Sequence, residues 1–310
     1  MSVAHLPEIR TSAPIPTWFG VGGGADRLTA PASIEQLGAC LESEPRLKVL
    51  GDGANLLVDD DGVSELVVVL DGPEFGKVQI DAKTGGVYAG AAAKLPALIK
   101  KTSELGLAGL ETLAGFPATV GGAVVMNAGG RYGEISQFIT HVHAVDRSGR
   151  QLTLTRSEIP FSYRHSGLNH LVITGARFQL IPDDPARLKA RRLEVMEYKR
   201  QTQPLAENSA GCCFKNPTLA VPLRLESPSA PQEFDKGARV SAGLLIDRAG
   251  CKGLKLGSAE VSPQHGNFIT AAKHGCARDV INLIHEVQRR VLDAHGVQLE
   301  TEVVIWRRSS

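Results

Sequence analysis

Two glycine-rich segments have the composition of loops that bind an anionic ligand. The first, residues 51–58, reads GDGANLLV and directly follows residues 47–50, an apolar run that predicts a strand. Glycines allow successive backbone N–H groups to turn toward one anion. The same residues would also make a tight turn between two strands, and this segment alone does not separate the two interpretations.

The second segment, residues 114–129, reads AGFPATVGGAVVMNAG. Its small residues would let a planar ligand approach the backbone, and Thr119 and Asn127 could add polar contacts. A buried packing segment is the alternative interpretation. Because four glycines and one proline within 16 residues weaken any regular element, the composition favours a loop.

Other glycine patterns do not support the common nucleotide folds. Residues 20–25 read GVGGGA and match the loose pattern GxGxxA, but no apolar strand precedes them as a dinucleotide fingerprint requires. No GxxxxGK[ST] sequence is present, which disfavours a P-loop hydrolase.

Composition excludes several classes of function. The chain has 310 residues, 43% hydrophobic and 22% charged, which is enough for two or three cores. Lys plus Arg (34) nearly balance Asp plus Glu (33), so we expect no nucleic-acid partner. The apolar runs fall short of the roughly 20 residues that a spanning helix needs, and the N-terminus lacks a secretory pattern. We therefore predict a soluble cytoplasmic protein without membrane insertion.

Cysteine and histidine spacing argues against metal and disulfide sites. The five cysteines include no CxxC pair, which suits neither a disulfide framework nor a structural zinc site. His141 and His143 alternate along one predicted strand without a third ligand, so we predict no metal.

Apolar spacing and capping patterns predict an α+β architecture, because short strands interleave with few helices and no βα unit repeats. Ser33 and Gln36 form a capping-box pattern for a helix that begins near residue 31. Further helices are predicted at residues 95–105, ended by Gly106, at 185–200, and at 280–291, ended by His295 and Gly296. Strands are predicted at residues 47–50, 65–70, 77–80, 86–89, 141–145, 151–154, 171–180 and 301–305.

Five segments taken together resemble one enzyme family, the UDP-N-acetylenolpyruvoylglucosamine reductases (MurB). They are GDGANLLV (51–58), ETLAGFPATVGGAVVMNAG (111–129), FSYRHS (161–166), SAGCCFKNP (209–217) and LETEVVI (299–305). They follow the family's order from about residue 17 to the end. The short connection from Tyr163 and Arg164 to residues 209–217 is similar to that of the shorter, type II members, which makes Arg200 a candidate contact to the flavin.

The resemblance implies a fold and a division of the chain. It implies a two-subdomain FAD-binding unit of the vanillyl-alcohol-oxidase (PCMH) type, followed by a C-terminal α+β substrate-binding domain. We place the FAD-binding subdomains at residues 1–75 and 76–184 and the C-terminal domain at residues 185–310, with the boundary at the Pro182–Pro185 segment.

The resemblance also implies a reaction. The family reduces UDP-N-acetylglucosamine enolpyruvate to UDP-N-acetylmuramate for peptidoglycan precursor synthesis, with FAD as cofactor and NADPH as reductant. Hydride passes from reduced flavin N5 to the enol ether's methylene carbon, and the carbon next to the carboxylate then takes a proton. Arg164 and Glu302 match the family's positions for stabilising the charge that develops there. Without the motif, Arg164 would be interpreted as part of a surface salt bridge. Glu300 would be as good a candidate for the catalytic carboxyl group as Glu302, and either could be an exposed charge.

Cys212 stands where the family usually has serine as proton donor. A thiol is more acidic than a hydroxyl, so it can fill this role, but at an ordinary pKa of about 8.5 donation would weaken above that pH. The thiolate would also expose the enzyme to oxidants and alkylating agents.

The remaining predicted contacts come from the same segments. Substrate contacts are expected from Tyr163, Lys215, Asn216 and His265, for which the alternatives are turn, cap and structural roles. Cofactor contacts are expected from Gly51, Gly53, Ala54, Asn55, Leu56, Gly115, Pro117, Thr119, Gly121, Gly122, Asn127, Ala128 and Arg200.

Two other functions compete with this hypothesis. A flavin-dependent oxidase on the same fold would act on alcohols, but it gives no use to the FKNP segment or Glu302. A flavin-binding protein that has lost catalysis would explain the replacement of serine by Cys212, but not the retained Arg164 and Glu302. We expect a monomer.

Overall fold

A computed structural model describes residues 5–226 and 230–309, in which short strands interleave with seven α-helices. The α-helices are α1 (Ile34–Ser43), α2 (Pro73–Gly76), α3 (Leu95–Glu104), α4 (Val120–Val125), α5 (Pro185–Thr202), α6 (Ala242–Arg248) and α7 (Ala277–His295). Three 3-10 helices are η1 (Leu110–Leu113), η2 (Ile135–Gln137) and η3 (Arg156–Glu158). The strands are β1 (Ile9–Ala13), β2 (Ala25–Thr29), β3 (Lys48–Leu50), β4 (Leu56–Val58), β5 (Val63–Val69), β6 (Val78–Asp81), β7 (Gly86–Gly90), β8 (Leu107–Ala108), β9 (Gly129–Gly130), β10 (Gly133–Glu134), β11 (Ile139–Val145), β12 (Gln151–Thr155), β13 (Val172–Gln179), β14 (Ile181–Pro182), β15 (Leu223–Leu225), β16 (Gln232–Phe234), β17 (Lys255–Leu256), β18 (Ala259–Val261), β19 (Ile269–Ala271) and β20 (Val304–Trp306).

The first part of the chain forms two main sheets that share a core, and the smaller sheet also contributes to a separate cluster that includes Leu28 and Val67. A four-stranded sheet has the order β1-β2-β5-β3, and a five-stranded antiparallel sheet has the order β12-β11-β13-β7-β6. Helix α1 begins where the sequence predicts, because the Ser33 side chain accepts a hydrogen bond from the Gln36 N–H. Its buried Leu37 and Leu41 share a core with Val87 and Val142 of the larger sheet. The core therefore joins the two sheets through α1.

The last part of the chain builds a second core around α7. The buried face of this helix, which includes Val280, Ile284 and Val287, shares a core with α6 and the sheet β17-β18-β19. The left-handed Gly296 ends the helix, as the sequence predicts. None of the helices within the described ranges is both long and apolar enough to cross a membrane.

The two parts are linked at several places. Strand β20 pairs in parallel with β4, so the end of the chain returns to its N-terminal part. Phe19 and Leu57 contribute to the core around α7, whereas α5 contacts α3 and η1. The three-domain division stays a prediction, and its ends at residues 1–4 and 310 lie outside the described residues.

Two predicted elements differ from those observed. The predicted loop at 114–129 contains α4, because the Thr119 side chain caps the Gly122 N–H and Val120 and Val124 are buried. The predicted strand at 301–305 is shorter, since residues before β20 pair elsewhere. The Glu302 N–H donates to the Cys213 carbonyl (2.7 Å).

Candidate functional site

Arg164 lies at the tip of a tight turn. Ser162 and His165 close the turn with reciprocal backbone hydrogen bonds of 2.8 and 3.1 Å. Arg164 has φ of +54°, a left-handed conformation that costs energy in a residue with a side chain and that clusters at functional sites. The Asn127 amide anchors the turn by donating to the Ser162 carbonyl (2.8 Å).

Glu302 receives the Arg164 side chain. Arg164 Nε donates to Glu302 Oε1 at 2.6 Å, and each side chain is only 14% exposed. Asn55 holds the backbone at Glu302, because its side-chain amide donates to the Glu302 backbone carbonyl (3.0 Å). Burial raises the pKa of Glu302 above its ordinary value, although Arg164 opposes the shift. The pair thus combines a fixed cation with a carboxyl group that takes a proton more readily than an exposed glutamate.

Cys212 lies in the same electrostatic environment. Its segment pairs with residue 268 on one side and, through residues 213–215, with residues 300–302 on the other. Burial and, to a smaller extent, the charge of Glu302 raise the pKa of the Cys212 thiol to about 12, although Arg164 opposes the shift. The structure therefore brings together all three predicted catalytic residues.

Asn267 holds the Cys212 segment in place and was not anticipated from the sequence. Its side chain accepts from the Phe214 N–H (2.9 Å) and donates to the Phe214 carbonyl (2.8 Å). Its own carbonyl accepts from the Cys213 N–H (2.8 Å). No local sequence signal distinguishes a buried asparagine in this role from one in a surface turn.

The two glycine-rich segments lie against each other. A Cβ atom added to Gly51 would lie 3.0 Å from Thr119 Oγ1, so the segments approach too closely for a larger residue to fit without displacement. Lys94, which pairs with Thr119 across an antiparallel bridge, also forms an ion pair with Asp52. Gly121 is packed similarly, because an added Cβ would lie 2.9 Å from the Ala91 side chain.

Residues 51–55 fit an anionic group. Within the described ranges, their backbone N–H groups have no protein acceptor. Gly53 has φ of +62°, and a Cβ atom there would lie 2.2 Å from the Pro16 carbonyl oxygen, so only glycine suits the position. Backbone N–H groups without a protein partner can donate to the oxygens of a pyrophosphate. The predicted cofactor residues Ala54 and Leu56 belong to this segment.

The other predicted cofactor residues differ in how they are placed. Pro117 is half-buried between Phe116 and Thr119, and Ala128 is buried at the end of the second segment. Asn127 is fully buried, and its amide already bonds to Glu134, Ser136 and Ser162. Asn127 therefore orients the Arg164 turn from within the protein.

Arg200, a predicted cofactor contact, has an exposed side chain that pairs with Glu197 on the same helix. The preceding residue faces inward instead: Lys199 Nζ lies 3.5 Å from the centroid of the Phe116 ring. Lys199 follows the buried Val195 by four residues, so helical spacing could have placed it on the inner face.

Tyr163, Lys215 and Asn216 lie close together. The Tyr163 hydroxyl accepts from the Asn216 N–H (3.2 Å), and the guanidinium of Arg239, which the sequence did not single out, lies 4.1 Å from the tyrosine ring. Lys215 Nζ lies 3.2 Å from Glu300 Oε2. The Asn216 side chain accepts from the N–H of residue 242 (2.9 Å), so its oxygen has a structural role.

His265 belongs to the turn that holds the Cys212 segment. Its Nδ1 accepts from the Asn267 N–H (3.2 Å), and its ring packs edge-to-face on Phe268 with 4.9 Å between centroids. Burial and the nearby Lys252 lower the pKa of His265 below its ordinary value. A neutral imidazole is what this acceptor role requires.

Comparisons with known proteins agree with this arrangement. Residues 203–306 match the UDP-N-acetylenolpyruvoylglucosamine reductase C-terminal domain, and residues 25–155 match an FAD binding domain. The UDP-N-acetylenolpyruvoylglucosamine reductase of Bradyrhizobium sp. is 36% identical over 97% of this chain and 94% of its own length. That of Moorella thermoacetica is 37% identical over 96% of this chain and 93% of its own length. The crystal structure of UDP-N-acetylenolpyruvylglucosamine reductase (MurB) from Thermus caldophilus is 34% identical. It covers 96% of this chain and 100% of its own, with a TM-score of 0.78.

Proposed function

Because the chain belongs to the UDP-N-acetylenolpyruvoylglucosamine reductase family, we propose that it reduces UDP-N-acetylglucosamine enolpyruvate to UDP-N-acetylmuramate. It is an FAD-dependent oxidoreductase of the α+β class, with an FAD-binding unit of the vanillyl-alcohol-oxidase type. NADPH is the proposed reductant. The proposed setting is peptidoglycan precursor synthesis by a cytoplasmic monomer.

The observation that carries the proposal is the buried Arg164–Glu302 pair beside Cys212. Adding hydride to the enol ether's methylene carbon leaves negative charge on the carbon next to the carboxylate. A planar guanidinium binds a carboxylate well, and a protonated Glu302 donates a hydrogen bond to the developing oxyanion. Cys212 then gives its proton to that carbon. Arg164 and Glu302 thus stabilise charge, and Cys212 completes the reduction.

The cofactor is assigned to the two facing glycine-rich segments. The unpaired N–H groups of residues 51–55 would hold the pyrophosphate, and the segment from Gly115 to Thr119 would line the same cavity. When bound, FAD supplies the two-electron transfer. Asn55 links this segment to Glu302 through its side-chain hydrogen bond, so cofactor and catalytic carboxyl share one support.

The substrate's diphosphate and sugar are assigned to the cluster around Tyr163. Lys215 supplies an ammonium group, Asn216 supplies an amide N–H₂, and Arg239 supplies a second cation against the tyrosine ring. His265 acts indirectly in this scheme, since its contacts support the turn at Asn267.

The two competing functions explain the site less well. An alcohol oxidase has no need of a proton donor beside a carboxylate-binding arginine. A protein that had lost catalysis would have no reason to keep Arg164 in a strained conformation against Glu302. Both observations favour the reductase.

An anaerobic two-step assay tests the proposed function. NADPH is expected to bleach the purified FAD-loaded protein, and UDP-N-acetylglucosamine enolpyruvate is expected to restore the flavin colour. UDP-N-acetylmuramate should form in equal amount, as measured by mass spectrometry. UDP-N-acetylglucosamine, which lacks the enolpyruvyl group, is the matched control and should not restore colour. If the enolpyruvyl compound leaves the flavin bleached, the assignment is wrong.

A further inference from the structure

Lys199 is a half-buried cation for which the described residues supply no carboxylate partner. Its side chain crosses from α5 to the second glycine-rich segment, where an atom added as Cβ to Gly115 would lie 2.9 Å from Lys199 Cδ. The ammonium lies over the Phe116 ring. In the described part of the chain, no Asp or Glu forms an ion pair with it, since Glu197 pairs with Arg200. Removing an ammonium group from water costs free energy, and contact with an aromatic ring offsets only part of this cost unless an anion also binds.

The surroundings of Lys199 show where that anion would be. Burial lowers the pKa of Lys199 to about 8, and the charge of Arg164 lowers it further in the same direction. The contacts of the Lys199 side chain are with the second glycine-rich segment, at Gly115 and Phe116. In the proposed function, the substrate carboxylate binds to Arg164. We therefore assign an anion beside Gly115 and Phe116 to the cofactor, because these residues belong to the segment assigned to FAD.

We propose, on the basis of the assigned reductase function, that the Lys199 ammonium is the counter-ion of the reduced flavin. Hydride brings two electrons and one proton to neutral oxidised flavin, so the ring system gains one negative charge. Delivering that hydride to the enol ether returns the flavin to neutrality, and the substrate then takes a proton from Cys212. A fixed positive charge near the flavin stabilises the anion and raises the reduction potential.

The midpoint potential of the bound flavin tests this proposal directly. Lys199→Met removes the charge and keeps much of the length, and Lys199→Arg keeps the charge. Lys189→Met is the matched control, because it removes an equal charge from an exposed position on the same helix. Potentials are measured anaerobically against reference dyes, without NADPH or substrate, so the result does not depend on the identity of the substrate.

Lys199→Met is expected to weaken the binding of reduced relative to oxidised flavin at least tenfold, which is a fall of about 30 mV for a two-electron couple. Lys199→Arg should recover most of that fall, and Lys189→Met should match the wild type. An unchanged potential in Lys199→Met would overturn the proposal. So would an equal fall in Lys189→Met, which would mean a general effect of net charge.

A second variant keeps the test decisive if Lys199→Met fails to retain FAD. Lys199→Gln keeps a polar chain without charge, and its potential, measured with excess FAD, should also lie below that of Lys199→Arg. Equal potentials for glutamine and arginine would overturn the proposal and leave Lys199 a packing residue on Phe116.

Discussion

The half-buried Cys212 thiol differs from an exposed thiol in how readily it ionises. The sequence alone suggests an ordinary thiol that loses its proton above pH 8.5, but burial raises its pKa to about 12. The thiol therefore keeps its proton through the whole range in which the enzyme would work. The expected weakening of proton donation near pH 8.5 and the expected high reactivity of a thiolate do not fit this environment.

The alkylation rate of Cys212 is expected to reflect this shift. At pH 8, roughly one thiol in ten thousand would be ionised, so reaction with iodoacetamide should be slow and should rise about tenfold per pH unit. Peptide mass spectrometry of the FAD-loaded enzyme measures the rate at this residue, with Cys212→Ser as the blank. A rate that levels off below pH 9.5 would show an ordinary thiol and contradict the account.

Short irregular segments, not the long helices, position the catalytic groups. The turn at Arg164 depends on Asn127, and the strand-like segment at Cys212 depends on Asn267. Both asparagines are buried, and both satisfy backbone groups that would otherwise lack partners. Burying an unpaired backbone group is costly, so these amides define the local conformation.

Asn267→Ala is expected to destabilise the fold and slow the reaction. The substitution leaves the N–H and carbonyl of Phe214 without partners, which costs about 1–3 kcal/mol in the free energy of unfolding. Denaturant unfolding measures this cost. Reoxidation by substrate should slow more than reduction by NADPH, because the Cys212 segment loosens. Asn169→Ala is the control, because Asn169 is exposed. Equal stability of the two variants would argue against the positioning role of Asn267.

Elements with a local signal could be predicted from the sequence, and the rest could not. The periodic apolar face of α7 and the capping serine of α1 are contained in their own residues. Helix α4 was missed because its glycines are poor helix formers, whereas packing against the core and the Thr119 cap stabilise it. Arg239 and Asn267 act through distant partners and carry no local pattern.

The proposed catalytic pair could be found only through the family resemblance. Arg164 and Glu302 are 138 residues apart, and no spacing rule brings them together. The inward position of Lys199 was available from the helical spacing with Val195, but the motif drew attention to Arg200 instead.

The proposed catalytic residues come from both parts of the chain. The FAD binding match covers residues 25–155, and Arg164 follows it closely, whereas Cys212 and Glu302 come from the part that matches the reductase C-terminal domain. The β4–β20 pairing and the Asn55–Glu302 bond hold these parts in register. Reduction of the flavin should therefore not require Cys212, and reduction of the substrate should.

Single-turnover kinetics of three proteins test this division most directly. The wild type, Cys212→Ser and Cys212→Ala are each reduced anaerobically by NADPH and then mixed with UDP-N-acetylglucosamine enolpyruvate in a stopped-flow instrument. All three should bleach at similar rates. Serine should restore the flavin colour within about tenfold of the wild-type rate, and alanine should be slower by about 100-fold or more, the usual contribution of a positioned proton donor. Recovery of the alanine variant at the wild-type rate would contradict the account.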